Sequence, residues 1–557
     1  MTDLTDIMRR RLRHNLSRSV WLARLLRLPV SEGASSRPGL VMIQIDGLGQ
    51  SQFEHALERG ELPFLRRLIK RKNYRVHLHY SGLPATTPAV QGELFYGVKA
   101  AVPAFSFRDL DSQRIVRMYD PDIAAQVEER LESQSNRPLL ENGSAYADNY
   151  TGGAAEPHFC PSSIGWGPAL RAANPFVVLT FLLGNFYSFV RVAVLLGMEA
   201  VLALADFCRG MIRGQDFFKE LKFIPSRVAV SILLRELCVI GGKIDVSRGL
   251  PIIHINFLGY DEQSHRRGPS SFFAHWTLKG IDDSIARLWR AAHRSPARQY
   301  DIWIYSDHGQ AATRPYHQLM GYPLADAVNA TFEKMSIMTS PDLFNNARGA
   351  ETQRSRLLGG DKIQRLFAAL NKKKPGKDEF HPSLASLGPV GHVYPPRMLS
   401  KEEQDFVGKE LTQTHSIPVV LHLEASGVLR AWTADSEFTL PRDCPELFGA
   451  QHPFIDALGE DLVRLCEHCD AGHFVLLGWR EGVAPLTFAE ENGAHAGATP
   501  EETNGFALLP ADAPLPEPEP AYLRAMDLRH AVQRHLAETE PVKAAPPGND
   551  PGGKARI

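Results

Sequence analysis

Three apolar runs of strand length, each followed closely by an aspartate, constrain this chain more than any other feature. LVMIQI runs into Asp46, PIIHINFLGY into Asp261 and YDIWIYS into Asp307. Runs of this length and apolarity predict buried strands, and the fold they predict is a parallel one. Strands that share a direction deliver the residues after their carboxyl ends to one edge of the sheet, where open α/β folds hold their ligands. Three acids are therefore expected to converge at one edge.

Histidines accompany these acids. His265 stands four residues after Asp261 in GYDEQSHRRGP, His308 directly follows Asp307 in YSDHGQ, and His495 lies in NGAHAGATPEE. A mixed carboxylate and imidazole set suits zinc, with manganese or iron also compatible. Two divalent cations about 4 Å apart neutralise a phosphoryl group, activate a hydroxyl or water, and stabilise both oxygens of an in-line displacement. Together with Thr87 in LPATTPAVQ, the clusters predict a metallo-phosphohydrolase or a close relative. Each position has a plainer alternative. Asp46-Gly47 could be a turn, and Asp261 a helix cap with His265 incidental. Thr86 competes with Thr87 and would otherwise point away or cap the following helix. His392 in GPVGHVYPP competes with His495, whose flanking glycines would let backbone approach a metal closely.

Taken in order, the motifs resemble those of the alkaline phosphatase superfamily, and within it the type I phosphodiesterase/nucleotide pyrophosphatase branch. IDGLG resembles the first metal motif. PATTPAVQGELFYG resembles the nucleophile segment, with Thr87 three residues after Pro84 and Gly97 ten residues later. YDEQSH resembles the D-x-x-x-H pair, SDHG the D-H pair and GAHAG the late G-x-H-G motif. The resemblance spans residues 39 to 510. It implies an α/β sandwich with a central, mainly parallel sheet flanked by helices, and two metal ions, zinc or manganese. One would be held by Asp261, His265 and His495. The other would be held by Asp46, Asp307, His308 and the Thr87 oxygen. The resemblance also implies hydrolysis of phosphodiesters through a phosphothreonine intermediate. Phosphomonoesterase, phosphonate hydrolase and lipid head-group transferase stay open, as does a catalytically silent metal-binding scaffold. Eleven residues past Gly97 stands Arg108, near where the nucleotide pyrophosphatases carry a phosphate-contacting Asn; as an Arg it would offer a substrate-binding fork. An ion pair with Asp109 is the plainer reading of Arg108.

The chain departs from a compact core between Thr87 and Asp261. Residues 172 to 190 carry no charge, and a second apolar run continues to Ala205. A membrane span needs about 20 apolar residues, but polar residues interrupt both runs. They predict a helical insert, about 110–245, that packs on the catalytic domain or lies at a membrane interface. Residues 1–38 are basic and read as an amphipathic segment suited to anionic lipid, to a partner, or to the domain's own apolar face. No secretory signal is evident, so the expected location is cytoplasmic or peripheral to a membrane. A formal net charge of -1 argues against a nucleic acid polymer as partner. Between 388 and 480 strand-like and helical stretches alternate. A Pro-rich link and helix over 511–538, then a disordered tail over 539–557, complete the chain. The single C-x-x-C, Cys466/Cys469, is a weak signal on its own.

Overall fold

Leu40 to Ile45 are fully buried, and their side chains divide between two apolar layers with the period of two that a strand imposes. Val41, Ile43 and Ile45 pack with Leu65, Leu68, Leu278, Ile281 and Ile285. Leu40 and Met42 face the other way, towards Leu94, Phe95, Leu528 and Val532. Helices therefore cover both faces, which explains why the run has no polar face. The computed structural model describes residues 18–25, 27–31, 37–135, 137–161, 229–335 and 382–537, with scattered positions between 186 and 204.

The central sheet is built from β1 (Pro38–Ile45), β2 (Tyr74–Tyr80), β3 (Ser144–Tyr146), β4 (Glu156–His158), β5 (Ile252–Phe257), β6 (Gln299–Tyr305) and β7 (Asn504–Pro510). Their order across the sheet is β2-β7-β6-β1-β5-β3-β4. Only β7 runs against its neighbours; the other strands share one direction. The expected mainly parallel sheet flanked by helices is thus present. A second sheet of six strands spans Ser383 to Leu477 and is antiparallel throughout. Its strands Val390–Tyr394, Val419–Leu423 and Phe474–Leu477 and its helices Lys401–Lys409 and Ile455–Glu467 fall where the alternating patterns place them.

The stretch from 110 to 245 is not helical throughout. Arg114–Arg117 pairs with Ser106–Asp109, and β3 and β4 extend the central sheet. Strands of three or four residues carrying Ser, Glu and His leave no apolar run to detect in sequence. Most of the apolar stretch 172–205 lies outside the described residues, as do residues 1–17 and the tail from 538. Among the described residues no helix is long and apolar enough to cross a membrane. Of the basic N-terminal segment, the helix Arg18–Leu25 packs Leu22 and Ala23 on Ile240 and Ile244. The helix Ala525–Ala537 after the Pro-rich link belongs to the core: its Arg529 donates to the carbonyls of Leu94 and Phe95, a cation at the negative end of the helix Thr87–Tyr96.

That helix is also tied to the sheet by buried polar groups. Gln91 donates to Gln44 and to Asp148, both at 3.0 Å, and accepts from the Asn149 N–H at 2.8 Å. Asp148 lies 2.9 Å from His254 Nδ1, and His254 Nε2 lies 2.9 Å from the Tyr305 hydroxyl, which donates to Gln44. Gln44 precedes Asp46 by two residues and Gln91 follows Thr87 by four, so one side chain fixes helix to strand next to both. Replacing Gln91 by Leu strands several buried polar groups. The expected cost is about 2 kcal/mol, read as a lower urea midpoint; an unchanged midpoint contradicts a holding role.

Candidate metal centre

Strand register decides where the acids go. Ile45 pairs with Phe257 and Gln44 with Tyr305, so β1, β5 and β6 leave the sheet together at one edge. Asp46 follows β1 directly, and Asp307-His308 follow β6 by a two-residue step. Asp261 and His265 lie in the helix Gly259–Arg267 that opens just after β5, and their spacing of four puts them on one helix face. His495 arrives from far along the chain. Gly493-Ala494 pair with Ala311-Ala312, just beyond the Asp307-His308 loop, and that pairing delivers the next residue to the same edge.

The side chains converge. Donor atoms of Asp261, His308 and His495 lie within 4.8 Å of one another, as do those of Asp46, Asp307 and His308. His308 is thus common to both groups. Its Nε2 is 3.4 Å from Asp307 Oδ2 and 3.8 Å from Asp46 Oδ1. The His308 and His495 rings stack at 3.8 Å. His265 Nε2 lies 3.3 Å from Asp261 Oδ1, and His495 Nε2 lies 3.6 Å from the same oxygen. His265 therefore joins through Asp261 rather than standing in either three-residue group. Thr87 opens its helix with the hydroxyl in the centre: Oγ1 donates to Asp46 Oδ1 at 3.3 Å and lies 3.2 Å from His308 Nε2.

All three imidazoles are oriented in the same way. His308 Nδ1 donates to the Gly309 carbonyl at 3.0 Å and His495 Nδ1 to the Ala85 carbonyl at 2.9 Å. His265 Nδ1 lies 3.1 Å from both Glu491 Oε2 and the Gly493 carbonyl. A carbonyl can only accept, so each Nδ1 carries a hydrogen and each Nε2 faces inward, the arrangement of a metal-ligating histidine. At His265 burial lowers the imidazole but Asp261 and Glu491 raise it well above its ordinary value, so a cation bound there would take the place of the Nε2 proton. The acids are held similarly. Asn256 donates to Asp46 Oδ2, Gly47 N–H to Asp307 Oδ1, and Gln310 to Asp261 Oδ1.

The electrostatics call for a cation. Asp46, Asp261, Asp307 and His308 are completely buried, and carboxylates gathered out of water are costly without countercharge. Burial, with Asp261 adding to it, pushes the Asp307 carboxyl up to about 7, and its Oδ2 is buried without a hydrogen-bond partner. Burial holds the His308 and His495 imidazoles below their ordinary value, hence neutral and able to ligate. The donor set and the orphaned carboxylate oxygen fit a divalent metal.

Two glycines show how tight the assembly is. Gly47 has a φ of +71°, and a Cβ there would stand 2.8 Å from Asp261 Oδ1; Asp46-Gly47 makes a turn because Asp261 comes so close. At Gly493 a Cβ would stand 2.5 Å from the Ser264 carbonyl. That glycine serves approach to the helix bearing Asp261 and His265, not the approach of backbone to a metal expected from sequence.

Thr86 occupies the N-cap position but makes no side-chain cap bond; its hydroxyl is buried without a hydrogen-bond partner, and the residue lines a small pocket with His265 and His495. Arg108 lies on the strand Ser106–Asp109, where its N–H donates to the Tyr394 hydroxyl. None of its described hydrogen bonds reaches the centre, and Asp109 pairs with Arg130 rather than with its neighbour. His392 sits in the second sheet and accepts from the Gly472 N–H. Sequence reasoning missed Asn256, Gln310 and Glu491. Asn256 had a signal, a polar residue inside a wholly buried strand; Glu491 had none.

No family model matches the sequence, and no curated protein matches it. Several solved structures are similar to it. Phosphonoacetate hydrolase from Sinorhizobium meliloti 1021 in complex with phosphonoacetate has a TM-score of 0.45 and 15% identity, covering 90% of this chain and 96% of that one. The same enzyme with phosphonoformate has a TM-score of 0.43 at the same identity and coverage. Murine ectonucleotide pyrophosphatase / phosphodiesterase 5, inactive and in complex with AMP, has a TM-score of 0.44 and 10% identity, covering 90% and 95%.

Because Asp307 offers a wholly buried carboxylate oxygen without a hydrogen-bond partner, Asp307→Ala should weaken zinc binding by about tenfold or more. Titration of the chelator-stripped full chain reads this. Wild-type affinity in the variant would remove Asp307 from the ligand set.

Proposed function

We propose that this chain is a metal-dependent phosphohydrolase acting on phosphodiesters, with Thr87 as its nucleophile. The observation that carries the proposal is the place of the Thr87 hydroxyl. It is buried, lies at the first position of a helix, and touches both Asp46 and His308, members of the candidate metal groups. A helix N-terminus favours the negative charge of a phosphoryl group and of the developing Thr87 alkoxide.

Asp46, Asp307, His308 and Thr87 would hold one ion, and Asp261, His265 and His495 the other. When bound, divalent cations, zinc by the chemistry of the donors, supply charge that favours the ionised hydroxyl and stabilises the attacking and leaving oxygens. Asp46 accepts the hydrogen bond of the Thr87 hydroxyl and so aims the oxygen's remaining lone pairs. The Thr87 oxygen bonds to phosphorus as the bond to the leaving alcohol breaks, and that alcohol leaves with a proton. Water then attacks phosphorus from the opposite side, the threonine–phosphorus bond breaks, Thr87 recovers its hydrogen and a phosphomonoester departs. Two inversions give net retention. The Gly47 turn and the tethered imidazoles keep the groups in place throughout, so little reorganisation accompanies the charge transfer.

A diester is favoured over a monoester by the small pocket beside the centre. Thr86, Phe105, His265, Leu387, Gly388, Glu491, His495 and Ala496 line it. No Lys or Arg stands among them to meet a dianion, and the wall carries an acid and two large apolar side chains.

The test is hydrolysis of bis-p-nitrophenyl phosphate and p-nitrophenyl phosphate by the zinc-loaded full chain. Diester cleavage should exceed monoester cleavage and stop with chelator. Thr87→Ala should keep its metal while kcat falls by about 10³-fold or more. Full turnover in that variant would exclude Thr87 as nucleophile; metal binding without turnover of either ester would favour a silent scaffold.

A further inference from the structure

The two candidate metal positions are unequal in charge. Asp46 and Asp307 give one of them two carboxylates, whereas the position shared by Asp261, His265 and His495 has a single carboxylate. Behind the ligands the difference is made up. Among the described hydrogen bonds, Asn256 on Asp46, Gly47 N–H on Asp307, Gln310 on Asp261 and the carbonyls on His308 and His495 are neutral. Glu491 instead brings a carboxylate, whose Oε2 lies 3.1 Å from His265 Nδ1. It is 5% exposed, so water screens it little.

We infer that Glu491 is a positioning residue that charges the weaker metal position through the His265 imidazole. This rests on the metal reading of the centre. A carboxylate accepting the Nδ1 hydrogen makes Nε2 a stronger donor to a cation and fixes the ring. It also brings the carboxylates around the centre to four, Asp46, Asp261, Asp307 and Glu491, which balances two divalent cations. Orientation and charge can be separated here. The Gly493 carbonyl also lies 3.1 Å from His265 Nδ1 and would keep the ring in place if Glu491 lost its charge. The contribution specific to Glu491 is therefore electrostatic.

The experiment is zinc titration of the chelator-stripped full chain against a chromophoric chelator, for the wild type, Glu491→Gln and Glu491→Asp. Wild type should bind two zinc ions. Glu491→Gln should retain one site at wild-type affinity and weaken the other by about 10- to 100-fold, and Glu491→Asp should recover part of that loss. Two sites of unchanged affinity in Glu491→Gln would overturn the inference and leave the metal centre standing. A wild type that binds no zinc would overturn both. Equal weakening of both sites would mark Glu491 as a general structural residue and overturn its assignment to one position.

Discussion

Buried negative charge at the carboxyl edge of the central sheet is the constraint on which the site depends. Asp46, Asp261 and Asp307 are fully withdrawn from water, and no lysine or arginine is among the partners that hold them. Among the described groups, hydrogen bonds from Asn256, Gln310 and Gly47 ease the cost without supplying a positive charge, and the acids instead draw a proton onto His265 beside Asp261. Such a cluster is stable only with a cation or with protons, and the carboxyl of Asp307, held up near 7, shows how far burial drives it towards the proton. A metal centre resolves that conflict and turns it into chemistry.

The fold serves this cluster by register. Parallel pairing of β1 with β5 and β6 brings three strand ends level, and short turns place the ligands with no long loops between sheet and site. The antiparallel strand β7 follows the His495 loop and locks it to β6. Beneath the edge, Gln44, Gln91, Asp148, His254 and Tyr305 form a buried polar layer that joins the nucleophile helix to the strands. Thr87 is thus fixed from below by Gln91 and from above by Asp46 and His308.

Much of this was legible in the sequence because it is written in local patterns. Apolar runs ending in Asp gave β1, β5 and β6 and the edge where their acids meet. The spacing of Asp261 and His265 gave a shared helix face. What sequence could not show is long-range or locally featureless. β3 and β4 are short and polar, so nothing marked them as central strands. Arg108 was reached by counting forward from Gly97; the hairpin over 106–117 that holds its backbone against Tyr394 left no mark in the sequence. Glu491 belongs to no motif; only the fold brings it to His265, across more than two hundred residues.

The most direct test of the account is anomalous X-ray diffraction, at the zinc edge, from crystals of the zinc-loaded protein. Two peaks are expected, one among Asp46, Asp307, His308 and Thr87 and the other among Asp261, His265 and His495. Zinc bound elsewhere, with no peak at these residues, would contradict the central claim that this edge of the sheet is a two-metal centre.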